Sequence, residues 1–300
     1  MGKKIISLVL AVILLVAGTT TAFGQEMTEI AGTKNELTQS VTINEFDAML
    51  QTASESTVQL LHEGYSTKEI ETIKNYSEEY REYIESLNER EDAMLEKWGY
   101  TNTEINIIRN FNGTEAEMRA LSAKVTVSIT PLNFEYDKTK IEEERYSVGT
   151  LMFSWKWDKI PFAQSTDIVG IGMNGWAVTS DSCVVNYYDM TTGKLSRITP
   201  ADRVKAKTAD KGLTGIGYKF AEAVAANNEY AQHGSGWVKL KTDVHALKDC
   251  YYSISYGHTQ LSLSVDFSVG CSGLEPVVNF KSGVEKIATA SGMIVPTVIR

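Results

Sequence analysis

Leu151-Met152-Phe153-Ser154-Trp155-Lys156-Trp157-Asp158 sets large apolar side chains at every second residue. Successive side chains of an extended chain point to opposite faces, so a period of two over eight residues predicts a strand with one buried face. The same pattern recurs on either side. Val125, Val127 and Ile129 alternate with Thr126, Ser128 and Thr130 up to Pro131, and Leu261, Leu263, Val265, Phe267 and Val269 alternate with Ser262, Ser264, Asp266 and Ser268. Residues 167–171, 176–180, 183–188, 215–220, 236–242 and 251–256 complete the set, separated by turn formers such as Met173-Asn174-Gly175. Eight to ten short strands predict an antiparallel β-sandwich or barrel over residues 123–300. Residues 218–232 carry alanines that also suit a helix; we read them as a hairpin.

Upstream of Ser122 the period changes. Residues 61–76 and 96–111 align without a gap at a spacing of 35. Gly64 and Gly99 can take the left-handed conformation that ends a helix, and Ser66 and Thr101 can cap the next one, with Glu69 and Glu104 closing capping boxes. Tyr65 and Tyr100 precede those caps, and Thr114 with Glu117 opens a third such start. Between the copies, Ile70, Ile73, Tyr80, Ile84, Leu87, Leu95 and Trp98 recur mostly at spacings of three, four or seven, which predicts one long helix from about residue 67 to 97. Two copies are too few for a solenoid, so residues 43–122 read as a small helical bundle, with Asn44 capping a short first helix. The fold class is therefore α+β: an N-terminal helical bundle followed by a β-rich domain.

This capped-turn repeat, together with Trp155-Lys156-Trp157-Asp158, Thr166-Asp167-Ile168-Val169 and Tyr256-Gly257-His258-Thr259, resembles uncharacterised secreted proteins of spore-forming Gram-positive bacteria. The resemblance implies a location and no activity.

The first residues point to the same location. Lys3-Lys4, an apolar run over residues 5–17 and the pair Ala22-x-Gly24 make a secretory signal peptide, too short to span a bilayer. Residues 25–42, rich in Thr, Gln, Ser and Glu, read as a flexible leader. Of the whole-chain charge of -9, the signal peptide's two lysines account for +2, which leaves -11 on the remainder. Residues 25–122 hold 20 acids against 8 bases and residues 123–300 hold 18 against 19. Neither half offers a broad cationic surface, which argues against nucleic acid and anionic lipid as partners.

Searching for chemistry gives few constellations. Asp243-x-His245 puts an acid and an imidazole on one face of an extended segment, and His258 joins them if the strands are neighbours; such a trio suits a hydrolase. His233-Gly234-Ser235-Gly236-Trp237 lacks the spacing of a nucleophile elbow and reads as a turn into a strand, and Gly212, Gly215 and Gly217 read as hinge or turn glycines. No spacing calls for a bound cofactor or metal. Trp155, Trp157, Trp176 and Trp237 either face a ligand or fill the sandwich core. Cys250 and Cys271 flank residues 251–256 and 261–269, so pairing of those two as a hairpin would bring the cysteines to bonding distance and leave Cys183 free.

The leading function is an exported, non-catalytic binding or surface-interaction protein with an extracellular ligand or protein partner and no stable membrane anchor. A pore-forming toxin, in which Ser/Thr-rich strands such as 261–269 refold into a membrane hairpin, is the alternative, and a secreted hydrolase using Asp243, His245 and His258 is the second. Intact-mass analysis of the secreted chain should give a polypeptide starting at Gln25; retention of Lys3-Lys4 would refute export by cleavage after Gly24.

Overall fold

A computed structural model of the chain describes residues 37–208, 212–242, 244–258, 267–280 and 285–300. Residues 1–36, which include the expected signal peptide, lie outside these, as do Asp243 and residues 259–266. Six helices are described: α1 (Glu45–Ser54), α2 (Thr57–His62), α3 (Thr67–Leu87), α4 (Asp92–Lys97), α5 (Asn102–Arg109) and α6 (Glu115–Leu121). Sixteen strands surround them in sequence. β1 (Gln39–Asn44) precedes the helices, so the expected leader is ordered in its last residues. After them come β2 (Lys124–Asp137), β3 (Ser147–Trp157), β4 (Thr166–Asn174), β5 (Trp176–Asp189), β6 (Leu195–Pro200), β7 (Asp202–Lys205) and β8 (Lys207–Thr208). The chain continues through β9 (Leu213–Ala221), β10 (Ala223–Val224), β11 (Glu229–Thr242), β12 (Cys250–His258), β13 (Phe267–Ser272), β14 (Glu275–Phe280), β15 (Glu285–Ile294) and β16 (Thr297–Ile299).

The strands stack as a sandwich with a third, smaller layer. The first sheet runs β1-β2-β3-β11-β5-β6, with β10 on β11 and β16 parallel on β2; the second runs β15-β12-β4-β9-β7; the third is β14-β13-β8. The alternation read in the sequence sends Val125, Val127, Ile129, Leu151, Phe153, Trp155 and Trp157 inward. They meet Val169, Ile171, Tyr218, Tyr252, Ile254 and Tyr256 of the second sheet in one core. On the far side of the second sheet, Ile168 and Leu213 pack against Phe267, Val269 and Val278 of the third.

Burial on both faces explains glycines that the sequence reading took for hinges. Gly215 and Gly217 lie within β9, where an added Cβ would stand 2.4 Å from Val269 Cγ2 and 2.5 Å from Phe267 Cε1. Absence of a side chain lets the third layer sit directly on the backbone of the second. Gly212, by contrast, does sit in a turn at φ +89°. Residues 218–232 form no simple hairpin either, because β9 belongs to the second sheet and β11 to the first. Only the short pair β10 and β11, with Ala223 opposite Tyr230, turns back on itself.

The expected Cys250–Cys271 disulfide is absent: all three thiols are free. Both edges of β12 are taken, by β15 and β4, with Cys250 opposite Ile294. β13 therefore moves to the third sheet, where Cys271 is exposed opposite Pro276. Burial pushes the Cys183 thiol up to about 12, so it packs as an apolar group.

In the helical region Ser66, Thr101 and Thr114 each accept from the backbone N–H three residues on, and Glu69, Glu104 and Glu117 close the capping boxes. The long helix predicted over residues 67–97 is instead interrupted between Leu87 and Asp92. Arg109 of α5 reaches into the break, donating to the carbonyls of Asn88 (2.6 Å) and Arg90 (2.5 Å) and to Asp92 Oδ1 (2.5 Å). One guanidinium thus satisfies backbone oxygens that the helix end leaves without partners.

The two copies of the repeat have diverged in use. Gly64 (φ +97°) is exposed, while Gly99 (φ +98°) lies against the β-domain, where an added Cβ would be 2.4 Å from the Asp158 carbonyl oxygen. Around it the Trp98 carbonyl accepts from Ile160 N (3.0 Å), Trp98 Nε1 donates to the Met190 carbonyl (2.8 Å), and buried Lys159 pairs with Glu104 beneath the Tyr100 ring. Gly64→Ala should destabilise by about 1 kcal/mol through left-handed strain alone. Gly99→Ala should cost clearly more in urea unfolding; equal losses would refute the docking role of the second copy.

Candidate functional site

Among the described residues two places stand out chemically: the outer face of the first sheet and a buried polar cluster at the end of the sandwich nearest the helices. The outer face is built by the strand alternation. In β11 the stretch 233–237 is mid-strand rather than a turn. Gly234 and Gly236 point inward, where a Cβ would stand 2.0 Å from Trp155 Cη2 and 2.3 Å from the Ser182 carbonyl oxygen. His233, Ser235 and Trp237 therefore point outward. Trp237 sits between Met152 of β3 and Ser182 of β5 in register, with the Lys239 ammonium 5.3 Å from its ring centre. His233 contacts Asn186 Nδ2 at 2.9 Å; burial, then the Lys156 ammonium, holds its pKa below the ordinary value. Toward β1 the face becomes a hydroxyl ladder, Ser40 on Ser128 (2.9 Å), Thr42 on Thr126 (2.8 Å) and Thr38 on Thr130 (2.8 Å).

The buried cluster gathers Glu45 from the start of α1, Asp167 from β4, Glu222 after β9 and His258 at the end of β12, all without solvent exposure. Glu45 accepts from the backbone N–H groups of Phe162 and Ala163, each at 3.0 Å, and its Oε1 lies 3.3 Å from His258 Nε2. His258 Nδ1 lies 3.0 Å from Asp167 Oδ1 and 3.2 Å from Glu222 Oε2. Tyr256 donates to Asp167 Oδ2 (2.5 Å) and accepts from Trp157 Nε1 (3.1 Å). Neither oxygen of Glu222 has an aligned hydrogen-bond donor among the described residues. Burial, reinforced by the Asp167 charge, pushes the Glu222 carboxyl well above the usual carboxylate range. Burial opposes the charged imidazole of His258, but Asp167 and Glu222 outweigh it and raise its pKa.

The sequence candidates are distributed between these places and elsewhere. Trp155, Trp157 and Trp176 are core residues, and Trp237 alone of the four reaches the surface. The trio Asp243, His245 and His258 does not assemble as a hydrolase centre. Asp243 lies outside the described residues, and exposed His245 packs at a tilt on Tyr146, just before β3, with its Nε2 2.9 Å from the Tyr146 hydroxyl. His258 touches Trp157 at the other end of that strand. Eleven residues of extended chain set the two imidazoles about 30 Å apart. Glu45, Asp167 and Glu222 escaped sequence reading because they come from distant segments. The hint was an Asp, at position 167, opening an otherwise apolar strand pattern.

No protein-family model and no curated protein matches the chain. Among solved structures it is similar to the C-terminal domain of the Streptococcus agalactiae AgI/II polypeptide BspA, at 9% identity and a TM-score of 0.29, covering 57% of each chain. It is also similar to a structure of Streptococcus parasanguinis Fap1 fimbriae (9% identity, TM-score 0.26, 58% of this chain and 80% of that one). A third is the KRT10-binding region domain of the pneumococcal serine-rich repeat protein PsrP (11%, 0.24, 59% and 88%). The chain thus spans little more than half of the BspA domain, and at these TM-scores the likenesses carry no argument about this protein.

Glu45 is the link between helix and cluster, and its loss would strand two backbone N–H groups and an imidazole in a dry interior. Glu45→Ala should cost about 3–5 kcal/mol. A urea midpoint within error of the unsubstituted chain would show the cluster to be relaxed and solvated.

Proposed function

We propose that the chain is an exported, non-catalytic binding protein that takes a hydroxyl-rich extracellular ligand, such as a surface glycan, on the outer face of its first sheet. The supporting observation is the composition of that face. A half-buried indole, Trp237, stands among Ser and Thr hydroxyls and the lysines 156 and 239, on strands whose inner faces are locked by Trp155 and Phe153. Sugars offer apolar C–H faces that stack on an indole and hydroxyls that bond to neighbouring Ser, Thr and Asn groups. A rigid sheet presents these groups with little ordering cost on binding.

The signal-like N-terminus supports an extracellular location. Among the described residues no helix is long and apolar enough to cross a membrane. Residues 261–266, on which the pore-forming alternative rests, lie outside the described part of the chain.

Screening the full chain on a glycan array, followed by titration of the best binder by tryptophan fluorescence, tests the proposal. Trp237→Ala should weaken binding about tenfold or more, equivalent to roughly 1.4 kcal/mol, while Leu61→Ser on the exposed helical surface should leave it unchanged. Equal affinity of the Trp237→Ala variant, or no binding to any glycan at millimolar concentration, would refute it.

A further inference from the structure

From the buried cluster we infer a binding site for one divalent transition-metal ion of the zinc or manganese kind, held by Asp167, Glu222 and His258 and supported by Glu45. One possible ligand atom from each of the three residues lies within 4.8 Å of the other two. Around an ion bound at 2.0–2.1 Å in tetrahedral geometry, ligand atoms stand about 3.3 Å from one another. The separations here, 3.0 Å from Nδ1 to Asp167 Oδ1 and 3.2 Å from Nδ1 to Glu222 Oε2, are close to that edge.

Glu222 is the observation that points to a ligand. It is a carboxyl group with no exposure; among the described residues neither oxygen has an aligned donor, and its close polar contact is His258 Nδ1, 3.2 Å from Oε2 and shared with Asp167. Such a group left unsatisfied in a protein interior is costly. A divalent cation offsets the Asp167 and Glu222 carboxylates and leaves only Glu45, which the N–H groups of Phe162 and Ala163 and the far side of the imidazole already hold.

The surroundings match the outer shell that metal-binding histidines have. With Nε2 facing Glu45, His258 turns Nδ1 toward Asp167 and Glu222, and Glu45 is itself held by the N–H groups of Phe162 and Ala163. A carboxylate behind the imidazole sets its tautomer and strengthens it as a ligand. Tyr256 donates to Asp167 Oδ2, which fixes the carboxylate with Oδ1 turned toward His258 Nδ1. Nitrogen and carboxylate donors in so small a set suit zinc or manganese, whereas calcium takes six to eight oxygens. Since none of the ligands is exposed, the ion would enter as the chain folds and leave slowly.

The site is independent of the outer sheet face. Its test is the metal content of the full chain after exhaustive dialysis, followed by unfolding in chelator and refolding in metal-free buffer with or without Zn²⁺, Mn²⁺ or Mg²⁺. About one transition ion per chain should survive dialysis. The refolded chain should melt about 5 °C or more below the metal-bound one, be restored by Zn²⁺ or Mn²⁺ and not by Mg²⁺, or else refold only when one of those two ions is present. Glu222→Gln, nearly isosteric, should hold no ion and show no thermal response. A folded wild-type chain with no retained ion and no response to Zn²⁺ or Mn²⁺ would overturn the assignment. So would binding unaffected by Glu222→Gln, which would place the ion elsewhere.

Discussion

Glu45 is the first residue of the first helix, yet its carboxylate sits at the end of a β-sandwich against His258. Four ionisable side chains share that dry pocket, and an isolated charge there would be prohibitive. Each must therefore be matched by another, and those matches tie together segments that the sequence holds far apart. Glu45 brings α1 and the residue 162–163 turn into contact, Asp167 engages β12 through His258 and Tyr256, and Glu222 stands where the chain leaves the second sheet for the first. The apolar core gives the sandwich its cohesion. The polar cluster dictates how the helices close its end.

Much of the framework is legible in the sequence. Alternation in 125–130 and 151–157 gave the inner faces of β2 and β3 correctly, and the Ser66, Thr101 and Thr114 caps are local bonds that a few adjacent residues suffice to reveal. What stayed hidden was decided by non-local contact. The break at residues 88–91 is stabilised by Arg109 from another helix. Glycines 215, 217, 234 and 236 looked like turn formers, because a glycine chosen for the ring pressing on it is indistinguishable in sequence from one chosen for its φ angle. Cys250 and Cys271 end in different sheets because β12 has neighbours on both edges, which strand propensity cannot foresee.

The same limit applied to the candidate sites. Trp237 was one of four tryptophans with equal claims, and only the strand's facing direction singles it out. His258 was named for a partnership with His245 that the length of β3 forbids, while its actual partners are acids from three other elements.

The strand pairing has a further consequence. β1 and β2 are antiparallel neighbours, with Asn44 opposite Lys124 and Glu45 N bonded to the Ala123 carbonyl, so the entire helical region begins and ends at one point. Topologically it is a very long hairpin loop. Closing a loop costs entropy that grows only with the logarithm of its length, so the sandwich tolerates this insertion at little more cost than a loop several times shorter. Lengthening, shortening or replacing the helices between residues 46 and 122 is in that sense open to evolution. The first residue of the insertion is exempt from this freedom, because the β-domain has taken its carboxylate into its own interior, and so is the Trp98–Gly99 turn that docks on residues 158–160.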